Sequence, residues 1–135
     1  MQMLIKQSSV PKKLVFGIGL FYTLLITIAF LLPSTGKLNF IDLGIPIDKL
    51  LHIIIHSILA FIWLNIIFIQ KNQEINSKLI SITVISCVVY GIIIEISQGL
   101  FIESRQADFL DIIANSVGTL LGFLFFLKVK IRFNS

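Results

Sequence analysis

The chain has 135 residues, of which 56% are hydrophobic and only 13% charged; its mean hydropathy is +0.99 and its net charge +4. An ordinary soluble domain carries about 25% charged residues, and one this small has no interior able to hide so much apolar surface. These figures exclude a typical water-soluble globule, point to lipid as the main solvent, and predict one compact unit over residues 1–135.

Residues 14–32, LVFGIGLFYTLLITIAFLL, contain no charge. Lys12 and Lys13 give the run a basic front like that of a signal peptide. Its length exceeds the roughly 7–15 residues of a signal core, and no A-x-A-like cleavage site follows, so it reads as a retained anchor. LPSTG at 32–36 has the form of a cell-wall sorting signal, but such a signal stands near a C-terminus, and here three further apolar runs follow. The 33–47 connection begins and ends with turn residues (Pro33, Gly36, Gly44, Pro46), and its middle, LNFIDLGI, is apolar enough to lie along the interface.

The second run covers 50–70 and includes His52 and His56; the third covers 79–100 and includes Cys87, Glu95 and Gln98; the fourth covers 109–127, with Asp111 near its start. Each is close to the roughly 20 residues that a spanning helix needs. Hydrocarbon offers the backbone no hydrogen bonds, so the spans should be helical, and the alternating segments of about 10 residues that mark a β-barrel are missing. The polar connection KNQEINSK at 71–78 suits two antiparallel helices. The predicted fold is an all-α, polytopic four-helix transmembrane bundle. Cys87, the one cysteine, falls mid-span and reads as a small packing residue.

Four spans put both termini on one side, together with the 71–78 loop. That side holds Lys6, Lys12, Lys13, Lys71, Lys78, Lys128, Lys130 and Arg132, against Lys37, Lys49 and Arg105 on the other. The positive-inside rule makes the first side cytoplasmic and predicts a multi-pass protein of the inner (cytoplasmic) membrane. The basic residues are scattered and carry no nucleic-acid-binding motif, so no nucleic-acid partner is expected; membrane lipid is. The acids are skewed the opposite way: Asp42, Asp48, Glu95, Glu103, Asp108 and Asp111 belong to the outer side and only Glu74 to the inner.

Asp48, His52 and His56 recur at i, i+4 and i+8 on one helical face. Glu95 and Gln98 lie near the outer end of the third span, Asp111 and Asn115 share a face below Asp108, and Arg105 sits in the joining loop. At 1.5 Å per residue the group falls within about 12 Å of the outer surface. A charged side chain facing lipid costs about 2.5–3.5 kcal/mol at the bilayer centre, so a shared polar pocket between helices is the economical arrangement. Gly91, Gly118 and Gly122 would allow close helix approach. Polar side chains also act as glue between membrane helices, which is the expectation for His56; Asp48 and Asp108 also suit helix N-caps.

These residues resemble the VanZ-like family of small bacterial membrane proteins. The likeness rests on DKLLH (Asp48, Lys49, His52), EISQ (Glu95, Gln98), RQADFLD (Arg105, Asp108, Asp111) and NSVG (Asn115, Gly118), in that order, from Asp48 to Gly118. It implies a polytopic inner-membrane protein, and a link to glycopeptide resistance through a founding member associated with resistance to teicoplanin, a lipoglycopeptide that acts on the cell wall. His56 is not assigned to the family pattern.

Two functions follow from the pocket. In the first, it binds a lipid headgroup, envelope precursor or lipoglycopeptide-type molecule: Lys49 and Arg105 meet a phosphate or carboxylate, while Gln98, Asp108, Asp111 and Asn115 complete the ligand contacts. In the second, Glu95, His52 and Asp48 do acid–base chemistry on a lipid-linked substrate. Ser97, Ser104 and Ser116 lie near but not in a nucleophile motif. The acid surplus admits a divalent cation such as Mg²⁺ or Ca²⁺, although no recognised metal spacing is present and no metal ligands are assigned. Transport ranks last, because the inner half is apolar apart from Asn65.

Overall fold

The computed structural model describes residues 10–33, 47–103 and 105–134. The expected interfacial stretch of the 33–47 connection, most of LPSTG, and Ser104 lie outside them. Four helices account for nearly all of the described chain: α1 (Lys12–Leu31), α2 (Ile47–Gln70), α3 (Ser77–Phe101) and α4 (Phe109–Asn134). All four are long and apolar enough to cross a membrane, and no strand occurs among the described residues. The expected four-helix transmembrane bundle is what forms.

Local chemistry sets the helix ends. Asn76 caps α3 by accepting the Leu79 N–H at 2.9 Å. Asp108 immediately precedes α4, and its Oδ1 accepts the Leu110 N–H at 2.9 Å, so it serves as the α4 cap. Asp48 is instead the second residue of α2, inside its first turn and exposed. The α2–α3 turn passes through Asn72 and Gln73 with φ of 54° and 69°. The α4 helix runs past the predicted end at 127 because Lys128 and Lys130 extend it on a basic turn, where cations favour the C-terminal dipole. The Lys130 ammonium lies 5.6 Å from the centre of the Phe68 ring.

Cross-helix bonds fix the antiparallel order. At one end the Lys12 ammonium donates to Asn72 Oδ1 (2.6 Å) and the Gln70 carbonyl (3.1 Å), joining the start of α1 to the end of α2. At the other end Gln98 Nε2 of α3 donates to the Phe30 carbonyl of α1 at 2.9 Å, and Lys49 of α2 reaches the start of α4. Between them α1 is held by Tyr22 Oη to the Ile55 carbonyl (3.0 Å), Trp63 Nε1 to Thr23 Oγ1 (3.0 Å) and a 2.7 Å bond between the Thr27 and Tyr90 hydroxyls.

The tightest packing is between α2 and α4, which run parallel. A Cβ added at Gly118 would fall on the Ile53 carbonyl oxygen, and one at Gly122 on the Ser57 carbonyl oxygen. Ser57 Oγ donates to the Gly118 carbonyl at 2.9 Å across the same contact. Ile26, Phe30, Leu59, Ala60, Cys87 and Ile94 form the apolar core, which gives Cys87 its expected packing role. The outward faces are apolar, as lipid contact requires; among the described residues the most exposed large apolar side chains flank the α3–α4 turn, at Leu100 (73%), Phe101 (78%) and Phe109 (72%).

The glycine contact yields a paired test. Gly122→Ala should destabilise the bundle by about 1–3 kcal/mol through overpacking. Gly17→Ala has nothing within 4 Å of the new Cβ and should be neutral or mildly stabilising. Thermal unfolding of both variants in detergent checks this; equal effects would contradict the close approach of α2 and α4.

Candidate functional site

Where α2 and α4 begin and α1 and α3 end, polar side chains from separate helices meet. His52 is 1% exposed, Glu95 1%, Asn115 1% and Asp111 6%, although all four are polar or ionisable. The parallel α2–α4 contact sets His52 Nδ1 at 2.9 Å from Asn115 Oδ1. Asn115 Nδ2 donates to the Gly91 carbonyl of α3 at 3.3 Å, so one amide links three helices. Gly91 makes this possible, since a Cβ there would come within 2.9 Å of Asn115 Cβ and His56 Cε1.

Above this layer, Lys49 Nζ sits between two carboxylates, 2.7 Å from Asp108 Oδ2 and 2.8 Å from Asp111 Oδ1. Asp111 Oδ2 lies 3.9 Å from His52 Nε2. Asp108 has three roles: Oδ1 caps α4, Oδ2 holds Lys49, and its backbone N–H donates to Glu95 Oε1 at 2.8 Å. This last bond pins the α3–α4 turn onto α3. The neighbouring Lys49 ammonium, helped by the Leu110 N–H, holds the Asp108 carboxyl below its ordinary value of 3.8.

A family model described as VanZ/LLP1 matches residues 2–131. The chain belongs to the VanZ/LLP1 family. The match reaches beyond the Asp48–Gly118 stretch that carries the sequence resemblance, and takes in α1 and most of α4. No curated protein and no solved structure matches the chain at a comparable level.

Seen in this VanZ/LLP1 bundle, the residues singled out from the sequence divide into groups. Lys49, His52, Glu95, Asp108, Asp111 and Asn115 form one continuous network. Asp48 stands at its edge: ligand atoms of Asp48, His52 and Asp111 all lie within 4.8 Å of one another, the one such trio among the described residues. Gln98 is buried but turns to the Phe30 carbonyl, so it ties α3 to α1 instead of joining the acids. Arg105 is half-buried in the α3–α4 turn, and its guanidinium has no side-chain partner among the described residues.

Two residues at the site, Phe30 and Thr119, are not marked by the sequence pattern. Phe30 lays its ring against His52, with centroids 4.9 Å apart, and accepts the Gln98 bond through its backbone; an apolar residue carries no signal for either role. Thr119, one turn below Asn115, is fully buried, and its hydroxyl has no partner among the described residues. His56 is likewise fully buried with both ring nitrogens unpartnered, packed between the rings of Phe30 and Tyr90. Its i+4 spacing from His52 was the legible signal. A histidine serving as glue would be hydrogen-bonded to a neighbouring helix, and among the described residues this one is not.

The Lys49–Asp108 pair sets a pH expectation. A carboxyl depressed in the folded chain lends stability above its ordinary value and loses it as pH falls through the lower folded value. Melting in detergent should therefore retain this contribution from pH 7 down to about 4 and lose it only at more acid pH. Lys49→Met should lower the melting temperature at neutral pH and flatten that part of the acid-side fall; an unchanged acid limb would show that the pair does not couple to folding.

Proposed function

We propose that this end of the bundle receives the polar headgroup of a lipid, an envelope precursor or a lipoglycopeptide-type molecule at the outer leaflet of the cytoplasmic membrane. The observation that carries the reading is the convergence of Lys49, His52, Glu95, Asp108, Asp111 and Asn115 at one depth, in helices whose outward faces are apolar. Ionisable groups inside a membrane protein are costly and are kept facing the bundle interior or a wet site.

The charges divide the labour. Lys49 is committed to two carboxylates, which supports Arg105 as the cation that meets a phosphate or carboxylate. The exposed Leu100, Phe101 and Phe109 beside it offer apolar contact for an acyl chain. Within this reading a link to teicoplanin resistance is natural, because a lipid-tailed glycopeptide presents both a polar head and an apolar tail.

Lipid extracted from the purified full-length chain and analysed by mass spectrometry tests the proposal. Wild type should retain one class of polar or anionic molecule above the bulk lipid background, Arg105→Lys part of it, and Arg105→Ala at least tenfold less. Equal retention by wild type and Arg105→Ala would overturn the reading. Conversion of the retained molecule on incubation would replace it with the catalytic one, supported by Glu95 Oε2, a buried carboxylate oxygen with no partner among the described residues.

The sidedness comes from the basic residues and has its own test. In a Cys87→Ala background, Glu103→Cys should react with a membrane-impermeant maleimide in intact cells, and Lys71→Cys only after the membrane is opened. The reverse pattern would place the site on the cytoplasmic face and sink the outer-leaflet assignment.

A further inference from the structure

The geometry points to a binding site for a first-row divalent metal ion formed by Asp48, His52 and Asp111. This goes beyond the headgroup reading and does not depend on what that headgroup is.

The first support is the direction of the His52 lone pair. Asn115 Nδ2 donates to the Gly91 carbonyl, which turns the amide oxygen Oδ1 toward His52 Nδ1 at 2.9 Å. An amide oxygen only accepts, so Nδ1 carries the proton, and in the neutral ring Nε2 presents a lone pair. A hydrogen-bond acceptor on the far nitrogen of the imidazole is the usual arrangement behind a metal-bound histidine, and here the Asn115 amide oxygen fills that place.

The second is what Nε2 faces. Asp111 Oδ2 lies 3.9 Å away, too far for a hydrogen bond. The other oxygen of Asp111 is held by Lys49 at 2.8 Å, so Oδ2 is turned away from the ammonium and remains a donor to a cation. Asp48, one turn before His52 on α2, supplies a third donor, and one ligand atom from each of the three residues lies within 4.8 Å of the others. Donors around one ion at about 2.0–2.2 Å stand about 3–4 Å apart, so small side-chain rotations close the set.

The third is independent of the trio. Glu95 is 1% exposed and its Oε2 has no partner among the described residues. Asp48, Glu95, Asp108 and Asp111 bring four carboxylates to one end of the bundle, and Lys49 is the only ammonium paired with them among the described residues. A divalent cation bound by the trio would offset part of that surplus negative charge at this end of the bundle.

The donor chemistry selects the ion. One imidazole nitrogen with carboxylate oxygens suits Zn²⁺, Mn²⁺ or Fe²⁺, whereas Mg²⁺ and Ca²⁺ prefer all-oxygen sets. The Mg²⁺ or Ca²⁺ expected from acid count alone is therefore replaced by a softer class once His52 joins. Three protein ligands leave a coordination position for water or an anionic oxygen.

The full-length chain, purified in detergent and stripped with EDTA, should be titrated with Co²⁺ and, separately, with Zn²⁺. Wild type should develop visible Co²⁺ d–d bands saturating at one ion per chain and should retain Zn²⁺ by elemental analysis. Asp48→Asn alters an exposed side chain and should fold normally while binding at least tenfold more weakly; Asp111→Asn and His52→Ala should abolish the bands. Arg105→Ala should bind as wild type does, which separates this site from the headgroup reading. Absence of saturable binding in wild type, or Co²⁺ affinity unchanged in both Asp48→Asn and Asp111→Asn, would overturn the proposal. So would ring NMR signals showing His52 protonated at both nitrogens at neutral pH and insensitive to Zn²⁺.

Discussion

The approach of α4 to the backbone of α2 is the constraint on which the rest depends. Within lipid there is little hydrophobic force to drive helices together, so small residues and direct packing must do it. Gly118 and Gly122 bring α4 against the Ile53 and Ser57 carbonyls, and the parallel direction of the two helices then sets His52 level with Asn115. A side chain at position 118 would push the helices apart and break that 2.9 Å bond. The His52 Nδ1 and the Asn115 amide oxygen would then be buried without partners, at about 1–3 kcal/mol for each orphaned group.

The polar cluster is thus assembled by apolar means, and it is also closely cross-linked. Asp108 joins three elements through three different atoms, to the α4 backbone, the Lys49 ammonium and the Glu95 carboxylate. Substitutions there mix effects on folding with effects on the site. Asp48 and Arg105 lie at its margin, which makes them the cleaner probes of chemistry. By contrast α1 is attached through a few polar bonds from Lys12, Tyr22, Thr23, Thr27 and Phe30 and through the buried Ile26 and Phe30 side chains, and turns most of its other large apolar residues outward.

Much of this is legible in the sequence alone. Four uncharged or nearly uncharged runs marked the helices to within a few residues, except at the end of α4, where basic residues continue a helix that hydropathy alone would stop. The spacing of Asp48 and His52, and of Asp108, Asp111 and Asn115, placed these residues on shared faces. Spacing does not say which neighbour each face meets. Gln98 turned toward α1, and Lys49 paired with acids where an anionic ligand had been expected, because these choices depend on helix rotation. The roles of Phe30 and Thr119 were invisible for the same reason: one acts through its backbone and ring, the other through burial one turn below Asn115.

The apolar collar of Leu100, Phe101 and Phe109 has a consequence for how molecules arrive. Side chains this exposed and this apolar favour contact with lipid over water for the ends of α3 and α4 that flank the turn. On the proposed headgroup reading, a molecule already anchored in the leaflet would reach the cluster by two-dimensional diffusion at high local concentration, while a freely dissolved one would first have to partition out of water. Membrane solubility is in this sense the first filter on what the cluster can meet, applied before any hydrogen bond is made.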